Sequence, residues 1–213
     1  TLRLLATLLL ITPPALAGTD VLRQEAIAYA RKGDTVLYRE SHWRYRQEGV
    51  ARRLVLYRCP DGRAFARKTV VERPAAQAPD FDFEDARDGY REGVRTGPGG
   101  RVVYVRDVGD ARPKERTLST PPGAVIDAGF DASVRQHWEA LRSGRGVTQP
   151  FLLPSRFSFV PVKLQPGPAV RWNGVPAQRW QDAAAAHLAA LEAAPTIGCD
   201  TFILSAPPPF ARG

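Results

Sequence analysis

Residues 53–71 read RLVLYRCPDGRAFARKTVV, and they carry the clearest hairpin signal in the chain. Residues 53–58 and 63–71 carry the alternating aliphatic and aromatic side chains that are typical of β-strands. Between them, residues 59–62 read CPDG, which is typical of a type I turn because proline presets φ at the second position and glycine relieves crowding at the fourth. The sequence therefore predicts a β-hairpin here.

The first strand of this hairpin is apolar on both sides. Leu54 and Leu56 fall on one face and Val55 and Tyr57 on the other, because side chains alternate along a strand. A strand with two apolar faces belongs in the middle of a sheet that is covered on both sides. We therefore expect further strands to flank it.

The strand pattern continues toward the N-terminus. Residues 25–30 and 35–45 have extended character around a turn at residues 32–34. Alanine and glutamate also favour a helix over 22–31, but the Gly-Asp turn that follows suits a hairpin and favours the strand.

Toward the C-terminus, the pattern changes from loop to hairpin. Residues 73–81 are expected to form a proline-containing loop. Residues 89–95 and 101–106 predict a second hairpin around the glycines of 97–100, which permit positive φ. An edge strand is expected through 115–118.

One helix is predicted over residues 131–141. Asp131 is a plausible N-cap and Gly144 ends the pattern. Apolar residues at spacings of four, four and three form one stripe, which we expect to pack across the open side of the sheet: Phe130, Val134, Trp138 and Leu141. Residues 151–164 follow as extended chain that Pro154 and Pro161 interrupt, so an edge or bulged strand is expected.

The predicted fold class is mainly β (α+β): an antiparallel meander of hairpins that forms a curved sheet or half-barrel with one packed helix. The meander occupies residues 18–165, and an Ala/Pro-rich C-terminal tail occupies residues 166–213. A helix over 177–193 is expected in this tail on propensity. The sequence leaves open whether the tail from about Gln165 is a natural extension or an altered gene end.

The first residues indicate export. Residues 1–17 read TLRLLATLLLITPPALA, with a positive charge at Arg3, a short apolar run, helix-breaking prolines and small residues before Ala17. These are the parts of a secretory signal peptide, and the run is too short to cross a bilayer of roughly 30 Å. The sequence predicts cleavage after Ala17, a periplasmic or secreted product, and no transmembrane segment after cleavage.

Composition bounds the partners. The formal net charge of +8 falls to +7 once Arg3 leaves with the signal peptide, so anionic partners such as lipid or another envelope component are favoured. Export argues against nucleic acid. The two cysteines, Cys59 and Cys199, leave a disulfide open in an oxidising compartment, and the oligomeric state is open too.

Four segments carry a resemblance to known proteins: LYRESHW (37–43), LYRCPDG (56–62), FARK (65–68) and DARDGYREG (85–93). Over roughly residues 25–160 the chain resembles a group of exported bacterial proteins of unknown function. The resemblance implies a curved-sheet envelope protein and brings no catalytic residues with it.

The candidate site residues follow from these strands. Glu40 and His42 share one strand face, where a carboxylate beside an imidazole suits an ion-pair ladder, acid–base chemistry or metal ligation, although no metal-binding spacing such as HxH or HExxH is present. The candidate ligand-binding residues are Tyr38, Glu40, His42, Trp43, Tyr57 and Trp138. The candidate anion-contacting residues are Arg39, Arg44, Arg67 and Lys68, since cations beside aromatic rings can hold anionic headgroups.

No catalytic residue, metal ligand or cofactor is predicted. The acidic residues of 80–88 have the wrong spacing for a calcium loop and are expected to pair with nearby arginines instead. A phosphate-cradling glycine loop and a nucleophile elbow are also missing from the sequence.

The leading functional hypothesis is a non-enzymatic periplasmic protein that binds a hydrophobic or amphiphilic anionic ligand, such as lipid, in the concavity of the sheet. The alternatives are an envelope interaction or scaffold protein with a basic face, and a hydrolase with a carboxylate/His site.

Overall fold

The computed structural model describes residues 21–30, 35–172 and 174–182. The predicted signal peptide, the turn at 32–34, Cys199 and the rest of the tail lie outside the described residues. Cleavage after Ala17 and the pairing of Cys59 with Cys199 therefore stay predictions.

Eight strands form one antiparallel meander in which each strand pairs with the next along the chain. Within the described residues the sheet is not closed, because its first and last strands each have one neighbour. The strands are β1 (Leu22–Tyr29), β2 (Val36–Gln47), β3 (Val50–Arg58), β4 (Ala64–Ala75), β5 (Ala78–Asp85), β6 (Arg91–Gly97), β7 (Gly100–Arg106) and β8 (Lys114–Leu118). The predicted mainly β meander is confirmed, including the strand rather than the helix over residues 22–29.

The two faces of this sheet differ in burial. Along β5 and β7 every second side chain is buried, which is the alternation of a sheet with one face in the core. We call the buried side, which carries Val55, Lys68 and Phe83, the covered face, and the other side the outer face. In β3, Leu54 and Leu56 on the outer face are half-buried, so the strand is central but less covered on that side than its sequence predicts.

The hairpin turn at residues 59–62 is confirmed, since the Gly62 amide donates to the Cys59 carbonyl at 2.8 Å. The predicted loop over 73–81 is wrong. β4 continues to Ala75 and β5 begins at Ala78, so a tight turn replaces the loop. Pro74 and Pro79 lie opposite each other near that end of the ladder, beyond a register shift, where prolines are tolerated in strands.

Residues 124–131, the cover segment, lie across the covered face. Its buried apolar residues Val125 and Ile126 join the core. The Ile126 amide donates to the Gln77 carbonyl at 3.0 Å, at the β4–β5 turn. Gly129 passes so close to that turn that a Cβ atom on it would stand 2.0 Å from the Gln77 oxygen. The cover segment is therefore tied to the sheet by its backbone as well as by its side chains.

The helical region differs from its prediction. Two short helices, α1 (Phe130–Gln136) and α2 (Trp138–Arg142), meet at His137. Gly129 rather than Asp131 is the N-cap, because the Asp131 side chain reaches arginines of the sheet instead. The end at Gly144 is confirmed by its amide donating to the Leu141 carbonyl at 3.0 Å.

The apolar stripe of these helices does not pack on the meander. Val134 and Leu141 pack with Leu164, and Phe130 and Trp138 lie half-buried around them. Their partner is a second, three-stranded sheet of β9 (Val147–Leu153), β10 (Ser158–Trp172) and β11 (Val175–Asp182), with β10 in the middle. The cover segment, not the helix, therefore fills the concavity that the sequence leaves open.

The second sheet also corrects the region from 151 to 182. The expected single edge strand is two strands joined by a 3-10 helix at Pro154–Arg156, and β10 runs past Gln165. The predicted helix over 177–193 is wrong for residues 177–182, which belong to β11, and its remainder lies outside the described residues. Of the helices in the described part of the chain, none has both the length and the apolar character needed to cross a membrane.

Candidate functional site

Five aromatic side chains on the covered face form a continuous row, in which neighbouring ring centroids lie 5.6–6.4 Å apart. The aromatic row consists of Tyr38, Tyr57, Phe65, Phe83 and Tyr90. Phe65 reaches this face because a register shift between β3 and β4 gives β4 an extra residue there, and a bulge of this kind re-aims a side chain. The row gives the face an apolar surface about four strands wide.

Lys68 lies beside this row and forms an ion pair in which it is the more buried of the two partners. Its side chain is 14% exposed, and its Nζ lies 5.6–5.9 Å from the ring centres of Tyr57, Phe81 and Phe83. The Nζ donates to the carboxylate of Asp127 in the cover segment. Burial alone lowers the pKa of the ammonium, but the Asp127 carboxylate and Tyr57 outweigh it, so the pKa is raised and Lys68 stays charged.

Asp127 holds this ion pair at a conformational cost. Its φ is 27°, in a region that non-glycine residues rarely adopt. Backbone of this kind costs on the order of 1–3 kcal/mol and persists where its surroundings impose it. The Lys68 contact and the Ile126 backbone bond are the surroundings that impose it here.

Glu92 adds a second, half-buried acid whose charge interacts with Lys68. Its Oε2 accepts a hydrogen bond from the Tyr90 hydroxyl at 2.8 Å. Burial, followed by the negative charge of Asp127, raises the pKa of Glu92 to about 7. This carboxyl group therefore changes charge near neutral pH, inside the same cluster that fastens the cover segment.

Two arginines form the other link between the sheet and the cover segment. Arg44 and Arg53 lie directly opposite each other on β2 and β3. Both donate to the same oxygen, Oδ2 of Asp131, at 3.1 and 3.3 Å, and Arg53 also donates to the Ala128 carbonyl at 2.5 Å. Burial, followed by the charge of Arg53, lowers the pKa of Arg44.

The predicted Glu40–His42 pair forms, with 2.7 Å between Glu40 Oε2 and His42 Nε2. Both side chains share the covered face with Tyr57 and Val55, which lie opposite them on β3. A carboxylate that orients an imidazole fits a structural ion pair, and it also fits the acid–base role of the hydrolase hypothesis.

The structure divides the predicted site residues between faces. Those brought together on the covered face are Tyr38, Glu40, His42, Arg44, Tyr57 and Lys68. Trp43, Arg39 and Arg67 lie on the outer face because they occupy the alternate strand positions. Trp138 packs in the second core with Val134.

The outer face carries a shallow cavity of about 440 Å³ over β4 to β8. Four of its charged lining residues are paired with one another: Arg91 with Asp82 at 2.8 Å, and Arg95 with Glu115 at 2.8 Å. Tyr104 also donates to Asp82 and lies over Gly93, where a Cβ atom would collide with its hydroxyl. The expected pairing of the acidic stretch with nearby arginines is thus confirmed for Asp82.

Four polar residues between the sheet and the cover segment are absent from the predicted site: Arg53, Glu92, Asp127 and Asp131. Arg53 and Glu92 stand at alternate positions that the register places inward, a signal that the strand pattern contains. Asp127 and Asp131 meet the sheet only through contacts 59 to 87 residues apart in the chain, which no local pattern shows.

Comparison of the chain with family models, with curated proteins and with solved structures finds no match.

Proposed function

We propose that this chain is an exported, non-enzymatic binding protein that holds a hydrophobic or amphiphilic anionic ligand, such as a lipid, on the covered face of its meander. One observation carries the proposal: the aromatic row runs beside a largely buried ammonium group, Lys68, under a segment fastened to the sheet by ion pairs.

The cover segment stands where the ligand would lie. A bound amphiphile has to displace it, breaking the Lys68–Asp127 and Arg53–Asp131 pairs. The anionic group of the ligand can replace these carboxylates, and its alkyl chain can replace Ile126 against the sheet. Burial gains about 0.8 kcal/mol per methylene, so a chain of ten to twelve carbons supplies roughly 8–10 kcal/mol toward the displacement.

The test is native mass spectrometry of residues 18–213, purified gently from the periplasm of the producing cell. A bound mass of lipid size that is lost in organic solvent is expected. A folded protein that carries no such mass, and takes up none from lipid extract, would contradict the proposal.

Tyr57→Ala with Trp43→Ala as its control locates the site. Both are aromatic residues of adjacent strands, but Tyr57 lies on the covered face and Trp43 on the outer face. Lipid uptake should fall in the first variant and persist in the second. Equal lipid uptake by both variants would show that the ligand does not bind on the covered face.

A second candidate, the envelope interaction protein with a basic face, is favoured by one feature. Arg39 and Arg58 lie directly opposite each other on the outer face, where their like charges repel, and Glu25 of β1 is close enough to Arg58 to offset part of this repulsion. Binding of an acidic polymer at these residues should weaken steeply with salt, whereas uptake of an amphiphile should not. Binding that Arg39→Gln leaves unchanged would remove this candidate.

A further inference from the structure

Arg44 and Arg53 have more donors than partners. Both bind the single oxygen Oδ2 of Asp131. The Nε atom of each is buried and has no hydrogen-bond partner within the described part of the chain. Arg53 is 7% exposed, so water does not compensate for it freely. Leaving a buried donor of a charged group unsatisfied is costly, which points to an acceptor that belongs there.

The charges at this place are also unbalanced. Arg44 feels the positive charges of Arg53 and Arg135, against the negative charges of Asp131 and Glu72. Three cations therefore face two carboxylates, and the excess is positive. An added anion would reduce the repulsion between the guanidinium groups.

We propose that Arg44 and Arg53 form the seat of the ligand's anionic headgroup and that this headgroup is a phosphate, an inference that rests on the proposed function. Guanidinium groups bind phosphate in bidentate fashion, and two of them together offer more donors than the two oxygens of a carboxylate can accept. A phosphate can replace Asp131 and also accept from the Nε groups that Asp131 leaves unsatisfied.

The seat is well placed for an amphiphile. Arg53 lies two residues from Val55, whose register partner on β4 is Lys68, so the backbone positions of Arg53 and Val55 are one step of about 7 Å apart along the strand. The aromatic row begins one step further, at Tyr57. Arg53 and Lys68 bind neighbouring residues of the cover segment, Ala128 and Asp127, so a headgroup on the arginines also meets the Lys68 ammonium while its alkyl chain continues onto the rings.

Isothermal titration calorimetry on the mature protein tests this with three probes: decyl phosphate, decyl glucoside and inorganic phosphate. Decyl phosphate should bind at least tenfold more tightly than the neutral glucoside, because charge-assisted hydrogen bonds are worth about that factor or more. If the natural source is a lipid, inorganic phosphate should bind far more weakly than decyl phosphate. If the source is free phosphate, the two should bind alike.

Arg44→Gln should weaken decyl phosphate about tenfold and leave the glucoside unchanged. The matched control is Arg95→Gln, an exposed arginine on the outer face of β6 that pairs with Glu115. Asp131→Asn should tighten decyl phosphate, since it removes the competing carboxylate.

The outcomes separate the two claims. Equal binding of both decyl probes, unaffected by Arg44→Gln, would overturn the phosphate seat and leave the proposed function standing. Binding of inorganic phosphate that Arg44→Gln abolishes, without uptake of either amphiphile, would support the seat and overturn the proposed function. No binding of any probe would overturn both.

Discussion

The covered and outer faces of the meander use the same residue types for different purposes. On the outer face, Arg67 pairs with Glu84 and Arg91 with Asp82, across adjacent strands and largely in contact with solvent. On the covered face, Lys68 pairs with Asp127 of the cover segment, 59 residues away, and is largely buried. The ion pairs of the outer face therefore link neighbouring strands of the sheet, whereas those of the covered face hold the cover segment in place.

Two neighbouring residues of β4 test this difference between the faces: Lys68 on the covered face and Arg67 on the outer face. Lys68→Met removes the largely buried cation of its pair together with a charge-assisted hydrogen bond to the half-buried Asp127, and should lower the free energy of unfolding by about 1.5–3 kcal/mol. Arg67→Met removes an exposed pair and should cost less than about 1 kcal/mol. Urea denaturation measures both, and equal losses would contradict the distinction between the faces.

The free energy of unfolding should depend on pH because of Glu92, which lies on the covered face. Its pKa is raised to about 7 in the folded protein from an ordinary 4.5, so protonation favours the folded state. The contribution is complete below pH 4.5 and disappears as the pH rises through 7. Between pH 5 and pH 8 the free energy of unfolding should fall by about 2–3 kcal/mol.

Glu92→Gln should flatten this dependence, because glutamine does not titrate. The unfolding midpoint in urea, measured at half-unit steps of pH, provides the check. A wild-type curve that rises over this range would contradict the raised pKa.

The fit of the cover segment is tested by two glycines of the same connection. Gly129→Ala places a methyl group 2.0 Å from the Gln77 carbonyl oxygen and should cost about 1–3 kcal/mol. Gly123→Ala meets no atom but forces alanine to a φ of 71°, which costs about 1–2 kcal/mol without moving the segment. Only the first should speed hydrogen exchange of the Ile126 amide. Similar exchange in both variants would show that the close approach does not hold the segment.

The sequence predicts the meander well, because each hairpin carries its own local signals. The CPDG turn at residues 59–62 and the alternation along β3 suffice to place two strands, but not the register shift that adds Phe65 to the covered face. The prediction fails at residues 73–81, where two prolines suggest a loop although both lie at the end of a ladder. It fails again at 177–182, where helix propensity yields to pairing with β10.

The sequence pattern predicts several strand residues of the candidate site but not their partners in the cover segment. Tyr57, Lys68 and Arg44 are recognisable as aromatic and basic residues on strands. Their partners, Asp127 and Asp131, are not, because nothing local in the chain indicates which carboxylates will cross the sheet. The expected packing of the helix on the meander is wrong for the same reason, since an apolar stripe does not specify which sheet covers it.

In the proposed function, an anionic amphiphile displaces the cover segment from the covered face. Hydrogen–deuterium exchange with and without decyl phosphate tests this displacement at the Ile126 amide, which donates to the Gln77 carbonyl while the cover segment lies on the sheet. We predict faster exchange of Ile126 when the ligand binds, with the amides of β3 and β4 still protected. Binding that leaves the Ile126 amide as protected as before would contradict the claim.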